Sequence, residues 1–266
     1  MDEIAFLGAG NMAAAMVEGL LAKGTYPAGR IACLAAGGPT APRLAARTGI
    51  RLAASPEDLL ARAGTLVVAF KPQHLATADP RWAALSAGRL VISVLAGQKL
   101  AALGAAFPLA RNIVRSMPNT PGQIGAGITA WCAAAPLAPA DAAILEEVFG
   151  ALGTALELPE SQIDAFTAVC GSGPAYVFEF AAALRDASVG LGFDAPTARR
   201  LAVETLLGSA RLLAHRGEDP EVLRNQVTSP NGVTAAGLRR MGELDFRGLV
   251  RQTVQAARAR AGELSA

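Results

Sequence analysis

Lysine is scarce in this sequence, and its second half has none. Of the 24 Lys and Arg residues, only Lys23, Lys71 and Lys99 are lysines. Residues 161–266 therefore offer no amine to serve as a nucleophile or as a base. A reaction that uses this half of the chain must proceed without one.

Cysteine and histidine are also rare. The three cysteines, Cys33, Cys132 and Cys170, are odd in number and far apart. Such spacing indicates neither a disulfide framework nor a zinc site. His74 and His215 have no obvious acid–base partner, and lone histidines are usually structural or exposed. We therefore expect three reduced thiols, no bound metal and no catalytic histidine.

Long apolar runs and a surplus of one charge are absent as well. No uninterrupted apolar run reaches the ~18 residues of a membrane span, and Asp2 and Glu3 stand where a signal peptide would be basic. The net charge is only +2, and it is spread evenly over both halves, which excludes a basic nucleic-acid surface. We expect a cytoplasmic protein with a small-molecule partner, and neither a membrane nor a nucleic acid as partner.

Apolar residues are abundant, at 52% of 266 residues, and this length favours two domains. Helical stretches alternate with short apolar strands, predicted at Ile4–Leu7, Ile31–Leu34, Leu66–Phe70, Leu90–Leu95, Asn112–Ser116 and Ala155–Leu158. This alternation predicts a parallel, doubly wound α/β sheet of the Rossmann type in residues 1–160.

Residues 161–266 have helical spacing throughout, which predicts an all-helical second domain of about five helices. Its predicted breaks are clusters of turn formers at Gly171–Pro174, Gly190–Pro196, Gly217–Pro220 and Ser229–Gly232. Asp194, just before Pro196, is predicted to cap the long helix that runs through His215.

The segment from Gly8 to Ala13 fits the pattern G-x-G-x-x-A at a strand-to-helix turn. Gly8 permits the turn, Gly10 lets the backbone approach a pyrophosphate, and the free amides of the helix stabilise that anion. The second strand ends in Ala35 and Ala36, without the carboxylate that NAD-binding proteins usually place there. NADPH is therefore favoured, with Arg43 or Arg47 as candidate partners of its 2′-phosphate, and NADH remains an alternative.

Five further segments complete the pattern. They are Ala69-Phe70-Lys71-Pro72-Gln73, Ser93-Val94-Leu95-Ala96-Gly97, Met117-Pro118-Asn119-Thr120-Pro121, Gly171-Ser172-Gly173-Pro174-Ala175-Tyr176 and Val227-Thr228-Ser229-Pro230-Asn231-Gly232-Val233-Thr234. Together with the glycine loop, and over essentially the whole chain, these segments resemble the pyrroline-5-carboxylate reductases. The resemblance implies reduction of 1-pyrroline-5-carboxylate to L-proline by NAD(P)H, the last step of proline biosynthesis, in a homodimer joined by C-terminal helices and often assembled further.

The resemblance also implies the site residues. Cofactor contacts are expected from the glycine loop and from the turns that follow later strands: Gly8, Ala9, Gly10, Asn11, Met12, Ala35, Ala36, Ala69, Lys71, Pro72, Ala96, Gly97 and Asn119. For a small cyclic imine with one carboxylate, the expected contacts are Ser172, Gly173, Val227, Ser229, Gly232, Val233 and Thr234.

Two loops in the second half carry the expected substrate contacts. Ser229 is predicted to cap a helix that begins near Asn231, whose first amides would bind the substrate carboxylate. In the family, the threonine at the position of Thr234 has its hydroxyl near the ring nitrogen, which makes Thr234 the expected catalytic residue.

Several positions depart from the family pattern. Ala35 and Ala36 replace a pair that is often polar or basic, Cys170 replaces a common serine, and Asn231 and Val233 replace a common glycine and threonine. Two alternatives therefore stay open: a reductase of another cyclic imine or small ketoacid, and a non-catalytic dinucleotide-binding scaffold. A beta-hydroxyacid dehydrogenase would need a lysine in the second half.

Overall fold

The central strands are apolar on both faces because helices cover both sides of the sheet. A computed structural model describes residues 3–35 and 38–265. Its strands are β1 (Glu3–Leu7), β2 (Ile31–Leu34), β3 (Arg51–Leu52), β4 (Ala63–Val68), β5 (Leu90–Ser93), β6 (Asn112–Met117), β7 (Gly127–Ala133) and β8 (Gly153–Glu157). All five residues of β1 and all four of β5 are buried.

The strands form one sheet in the order β3-β2-β1-β4-β5-β6-β7-β8. Strands β1 to β6 are parallel, and the order reverses between β1 and β4. This arrangement confirms the doubly wound Rossmann-type sheet. At such a reversal, neighbouring strands lead into connections on opposite faces, and a cleft opens at their carboxyl ends.

The sheet is mixed, whereas the sequence predicted a parallel one. Strand β7 pairs antiparallel with β6, and β8 then pairs parallel with β7. The reason lies in the connection between β6 and β7, which holds only a short 3₁₀ turn, Thr120–Ile124. A parallel pair requires a crossover of a dozen or more residues. Neither β7 nor the two-residue strand β3 was predicted from the sequence.

Helices pack on both faces of the sheet, as the alternation of β1 shows. Ile4 and Phe6 face one core, formed with α1 (Asn11–Lys23), α2 (Thr40–Thr48) and α6 (Pro139–Gly150). Ala5 and Leu7 face the other core, formed with α3 (Pro56–Leu60), α4 (Arg81–Leu85) and α5 (Leu100–Ala106). A smaller cluster joins β7 to α7 (Glu160–Phe166).

The chain forms two compact units. The first contains the residues up to Ser172 together with those from Arg258 onward, and the second is Gly173–Ala257. Helices of the second unit are α8 (Gly173–Gly190), α9 (Ala195–Arg216), α10 (Pro220–Gln226), α11 (Val233–Glu243) and α12 (Phe246–Leu264), whose last turns belong to the first unit. Within the described ranges, no helix has both the length and the apolarity that crossing a membrane requires.

Helix α9 begins where the sequence predicted it. The backbone N–H of Thr197 donates to the Asp194 carboxylate over 2.7 Å, so Asp194 is the N-cap, and Pro196 lies in the first turn. Hydrogen bonds from Thr197, first from its side chain and then from its backbone, lower the pKa of Asp194. A carboxylate in this position also interacts favourably with the helix dipole.

We predict that Asp194→Ala lowers the thermal unfolding temperature at neutral pH, because α9 loses its cap. The folded-state pKa of Asp194 is lowered, so its stabilisation is present above the ordinary aspartate pKa of about 4 and disappears as the pH falls through the folded value. The difference from wild type should therefore shrink on acidification, measured calorimetrically at one protein concentration.

The matched control is Asp219→Ala. Asp219 precedes α10 in the same way, also followed by a proline, but its side chain makes no capping bond. We expect this variant to leave the unfolding temperature unchanged. Equal losses in both variants would contradict the capping role of Asp194.

Candidate active site

The turn after β1 brings three strands together. The N–H of Gly8 donates to the Leu34 carbonyl over 3.2 Å, and the N–H of Ala69 donates to the Leu7 carbonyl over 2.9 Å. Gly8 has a φ of +102°, and a Cβ there would lie 2.7 Å from the backbone of Ala69. Only glycine fits this position, because the backbone is left-handed and the space is filled.

Gly10 differs from Gly8 in having room beside it. It is the residue before α1, has ordinary extended backbone, and a Cβ there would meet no atom within 4 Å. No described side chain caps α1 at this end, and its first turn contains no acidic residue. Uncapped amides beside open space fit the pyrophosphate of a dinucleotide.

The expected cofactor residues lie along one edge of the sheet. Because β1, β2, β4, β5 and β6 are parallel, their carboxyl ends meet at the same edge. The residues that follow these ends are Gly8 to Met12, Ala35, Ala69 with Lys71 and Pro72, Ala96 with Gly97, and Asn119. Ala36, which was also expected here, lies outside the described residues.

A cleft of about 580 Å³ opens at the ends of β1 and β2. It is lined by residues of both strand ends and of the segments after β3 and β4: Leu7, Leu34, Ala35, Ala54, Ser55, Pro56, Phe70, His74, Thr77, Ala78, Asp79 and Trp82. Of these lining residues, only Ala35 was expected from the sequence to contact the cofactor. Ser55, His74 and Thr77 belong to no motif, and only the sheet order brings them near β2.

Cationic side chains near this edge differ in their availability. Arg47 donates from Nε to Glu18 over 2.9 Å, so its charge is already paired. Arg43, in the first turn of α2, and Lys71, which precedes a 3₁₀ turn after β4, are exposed and have no ion-pair partner in the described part of the chain. These two cations remain open to a phosphate.

Asn119 ties the loop after β6 in place. Its Nδ2 donates to the Cys170 carbonyl over 3.1 Å, and its Oδ1 accepts from the Ile128 N–H over 2.9 Å. The side chain is 9% exposed. Because the nitrogen and the oxygen of its amide both bond within the protein, the side chain fixes this loop.

The predicted break at Gly171–Pro174 is a π turn. Residues Thr167–Gly171 continue α7, the N–H of Ser172 bonds to the Thr167 carbonyl over 2.9 Å, and α8 begins at Gly173. Pro174 is tolerated there because first-turn residues need no N–H partner. Ser172 and Gly173 thus lie where the π turn meets α8, and a Cβ on Gly171 would stand 3.0 Å from Met117.

The remaining expected substrate residues cluster before and within α11. Its N-cap is Gly232, so the prediction that Ser229 caps a helix beginning near Asn231 is wrong. Asn231 has a φ of 60°, a left-handed conformation that delays the helix by two residues. The Gly232 N–H donates to the Ser229 carbonyl over 3.1 Å, and the space beside the Gly232 Cα is filled by the Ser229 hydroxyl.

Open amides and side chains mark this end of α11. Gly232 provides no side-chain cap, and no acidic residue lies in the first turn. Val233 and Thr234 are exposed, Val233 to 94%, and Val227 follows the end of α10. The arrangement suits a small carboxylate at the helix N-terminus with the Thr234 hydroxyl nearby.

The neighbouring thiols are poor nucleophiles. Burial raises the pKa of the Cys170 thiol, and burial together with the negative charge of Glu160 raises the pKa of Cys132 to about 11. Both thiols therefore stay protonated at neutral pH. Among the described residues, no cluster of His, Cys, Asp or Glu has the arrangement of a metal site.

We predict that Gly10→Ala weakens NADPH binding at least about tenfold, equivalent to roughly 1.4 kcal/mol, without lowering the unfolding temperature. The new methyl group would occupy the space that the pyrophosphate needs and would touch no atom of the described residues. Binding is measured by the fluorescence of the reduced cofactor.

Gly8→Ala is the contrasting variant. Its methyl group would collide with Ala69 in a left-handed backbone, so we expect a loss of stability of about 1–3 kcal/mol. Unchanged NADPH affinity of Gly10→Ala would contradict the assignment of this turn to the cofactor.

Comparison with known proteins agrees with this geometry. Residues 160–264 match the family model described as pyrroline-5-carboxylate reductase dimerisation, and residues 3–97 match that of the coenzyme F420-dependent NADP oxidoreductases. The pyrroline-5-carboxylate reductase of Pseudomonas aeruginosa is 39% identical over 98% of this chain and 96% of its own length.

Two solved structures are similar over their whole length. The pyrroline-5-carboxylate reductase of Coxiella burnetii superimposes with a TM-score of 0.92 at 31% identity, covering 100% of this chain and 99% of its own. The pyrroline carboxylate reductase of Plasmodium falciparum, solved with NADP bound, gives a TM-score of 0.88 at 25% identity, covering 100% and 98%.

Proposed function

The chain belongs to the pyrroline-5-carboxylate reductase family, and we propose that it takes reducing power from NADPH in preference to NADH. It is an NAD(P)H-dependent enzyme that reduces 1-pyrroline-5-carboxylate to L-proline in proline biosynthesis. The observation that carries the cofactor proposal is the glycine turn with the uncapped start of α1 at this edge of the sheet, together with Arg43 and Lys71, which have no ion-pair partner among the described residues.

The cofactor residues divide by the part of NADPH that they bind. Gly8, Ala9, Gly10, Asn11 and Met12 hold the pyrophosphate at α1, and Ala69, Lys71, Pro72, Ala96, Gly97 and Asn119 flank the rest of the molecule along the sheet edge. Ala35 and Ala36 place no carboxylate against a 2′-phosphate, and Arg43 pairs with it. When bound, the reduced nicotinamide supplies the hydride that saturates the C=N bond of the substrate.

The substrate is bound by the helical part of the chain, which we propose as residues 161–266. Ser172, Gly173, Val227 and Val233 shape the site, while the Ser229 hydroxyl and the backbone around Gly232, whose own N–H bonds to the Ser229 carbonyl, hold the carboxylate at the start of α11. Thr234 is the catalytic residue: its hydroxyl donates to the ring nitrogen of the neutral imine, and it accepts from that nitrogen and keeps it oriented once solvent has protonated it. No strong base is needed, because an imine protonated by solvent is already electrophilic at carbon, and the protein need only align the reactants.

The dimerisation domain of the family covers residues 160–264, so the protein forms homo-oligomers. We propose that a homodimer forms through the C-terminal helices and assembles further, in the cytoplasm. Large apolar side chains of α8 and α9 are exposed within one chain, among them Val177, Phe178, Phe180, Leu201 and Leu207. Exposed apolar faces of this extent are typical of subunit interfaces.

We predict that Thr234→Ala lowers kcat/KM for the imine by about 10²-fold, the usual contribution of one positioned side chain in general acid–base catalysis. NADPH affinity should not change, and Thr234→Ser should restore most of the activity. Activity is followed by the absorbance of the reduced cofactor with pyrroline-5-carboxylate.

The matched control for this experiment is Thr253→Ala. The Thr253 hydroxyl bonds to the Leu249 carbonyl within its own helix, so its removal should leave the rate unchanged. Full activity of Thr234→Ala would rule out the catalytic role. Turnover of other cyclic imines or ketoacids, but not of pyrroline-5-carboxylate, would contradict the proposed substrate. Cofactor binding without turnover of any of them would favour the scaffold.

For the cofactor, we predict a lower KM for NADPH than for NADH in the wild-type enzyme. Arg43→Ala should raise the KM for NADPH about tenfold, since one charged hydrogen bond to phosphate contributes roughly 1.5–3 kcal/mol, and should leave the KM for NADH unchanged. Equal effects on both cofactors would show that Arg43 does not contact the 2′-phosphate.

A further inference from the structure

The loop between β5 and α5, residues 94–99, contacts a segment far away in the sequence. Gly97 has a φ of +76°, and a Cβ there would lie 2.8 Å from the carbonyl oxygen of Leu264. The backbone of the loop is therefore packed directly against the backbone at the end of α12. Both residues belong to the first unit.

The same loop is held at its other end by a carboxylate. The N–H of Leu100, the first residue of α5, donates to Glu160 Oε1 over 2.7 Å. Lys99, the N-cap residue, offers no side-chain bond of its own. Glu160 thus caps α5 from a different helix, and it fixes the point where the 94–99 loop ends.

One buried arginine connects these two contacts. Arg115 on β6 is 3% exposed and donates to Glu160 over 3.1 Å and to Asp164 over 2.8 Å. The hydroxyl of Ser265, which is also buried, donates to the same Asp164 oxygen over 3.1 Å. A buried guanidinium is stable only when its partners are held well, so loss of one partner is felt by the others.

The hydrogen bonds of Arg115 also support a second loop at the sheet edge that we propose for the cofactor. Arg115 lies on β6, two residues before its last residue, Met117, and the loop that contains Asn119 follows. Leu264 at the end of α12 therefore packs against the 94–99 loop, and Ser265 is linked through Asp164 and Arg115 to the strand that leads to Asn119.

We propose that Leu264 and Ser265, at the end of α12, are positioning residues of the cofactor site. Ser265 acts through Asp164, Arg115 and Glu160, and the Leu264 carbonyl acts against Gly97, so that the 94–99 loop keeps the conformation in which NADPH binds. Ser265, Asp164 and Glu160 are positioning residues and touch no cofactor atom. This inference rests on the proposed use of Ala96 and Gly97 as cofactor contacts.

The decisive experiment compares Ser265→Ala with a chain that ends at Gly262. We expect the KM and the Kd for NADPH to rise about 3- to 10-fold in Ser265→Ala, and further in the shortened chain, because a hydrogen bond to a charged group is lost. The KM for pyrroline-5-carboxylate should not change. Ser265→Thr, which keeps the hydroxyl, should restore the NADPH affinity.

The matched control is Glu263→Ala, in the last turn of α12. Among the described residues, the ion-pair partner of Glu263 is the exposed Arg260, so the loss of this side chain should leave both Michaelis constants unchanged. Wild-type NADPH affinity in Ser265→Ala would overturn the proposal, and so would equal increases in both Michaelis constants.

The direct binding measurement separates this proposal from the proposed function. A wild-type protein that binds NADPH but reduces no imine would refute the reaction, while the Kd comparison between the variants would still decide the positioning role. A wild-type protein that binds no NADPH would overturn both.

Discussion

Strands β1 and β4 lie side by side at the centre of the sheet. The close contact between Gly8 and Ala69 at their ends determines the shape of the sheet edge that we propose for the cofactor. The strand order reverses at this pair, so the connections after β1 and β4 leave on opposite faces. The resulting gap receives the start of α1, whose amides have no partner among the described side chains. A larger residue at Gly8 would separate the two strands and move the helix away from the gap.

How much of the fold and of the site could be predicted from the sequence depends on how far apart along the chain the interacting residues lie. The glycine turn, the cap at Asp194 and most strands were predicted correctly, because each depends on residues within a few positions. Strand β7 and its antiparallel direction were not predicted, because the connection after β6 is too short for the crossover that a parallel strand needs. The start of α11 was placed too early because the left-handed backbone of Asn231 is not visible in a pattern of polar residues.

None of the contacts between residues distant in the sequence was predicted. The π turn at Thr167–Gly171 packs against Met117, and the Asn119 amide reaches Cys170. The motifs containing these residues were recognised one by one, but only the folded chain shows that they support one another. The same holds for Arg115, whose single charge among apolar strand residues gave no indication of its two carboxylate partners.

The two units use their apolar residues in different ways. In the sheet unit, apolar side chains fill a core on each face of the sheet, and the proposed cofactor residues lie in turns at the carboxyl ends of its strands. In the helical unit, the few side chains that are fully buried are small, while phenylalanines and leucines face outward. In the proposed homodimer, such a unit gains most of its burial on association, so its stability would depend on protein concentration.

The contact between Gly97 and Leu264 has a consequence for how the protein is made. During synthesis, residue 97 leaves the ribosome long before residue 264, and the sheet unit emerges while the 94–99 loop still has nothing behind it. Contacts between residues so distant in sequence form late and slow folding. A nascent chain can therefore acquire its strand order and its glycine turn during translation. The 94–99 loop, at the sheet edge that we propose for the cofactor, gains its contact with Leu264 only after the helical unit has been synthesised.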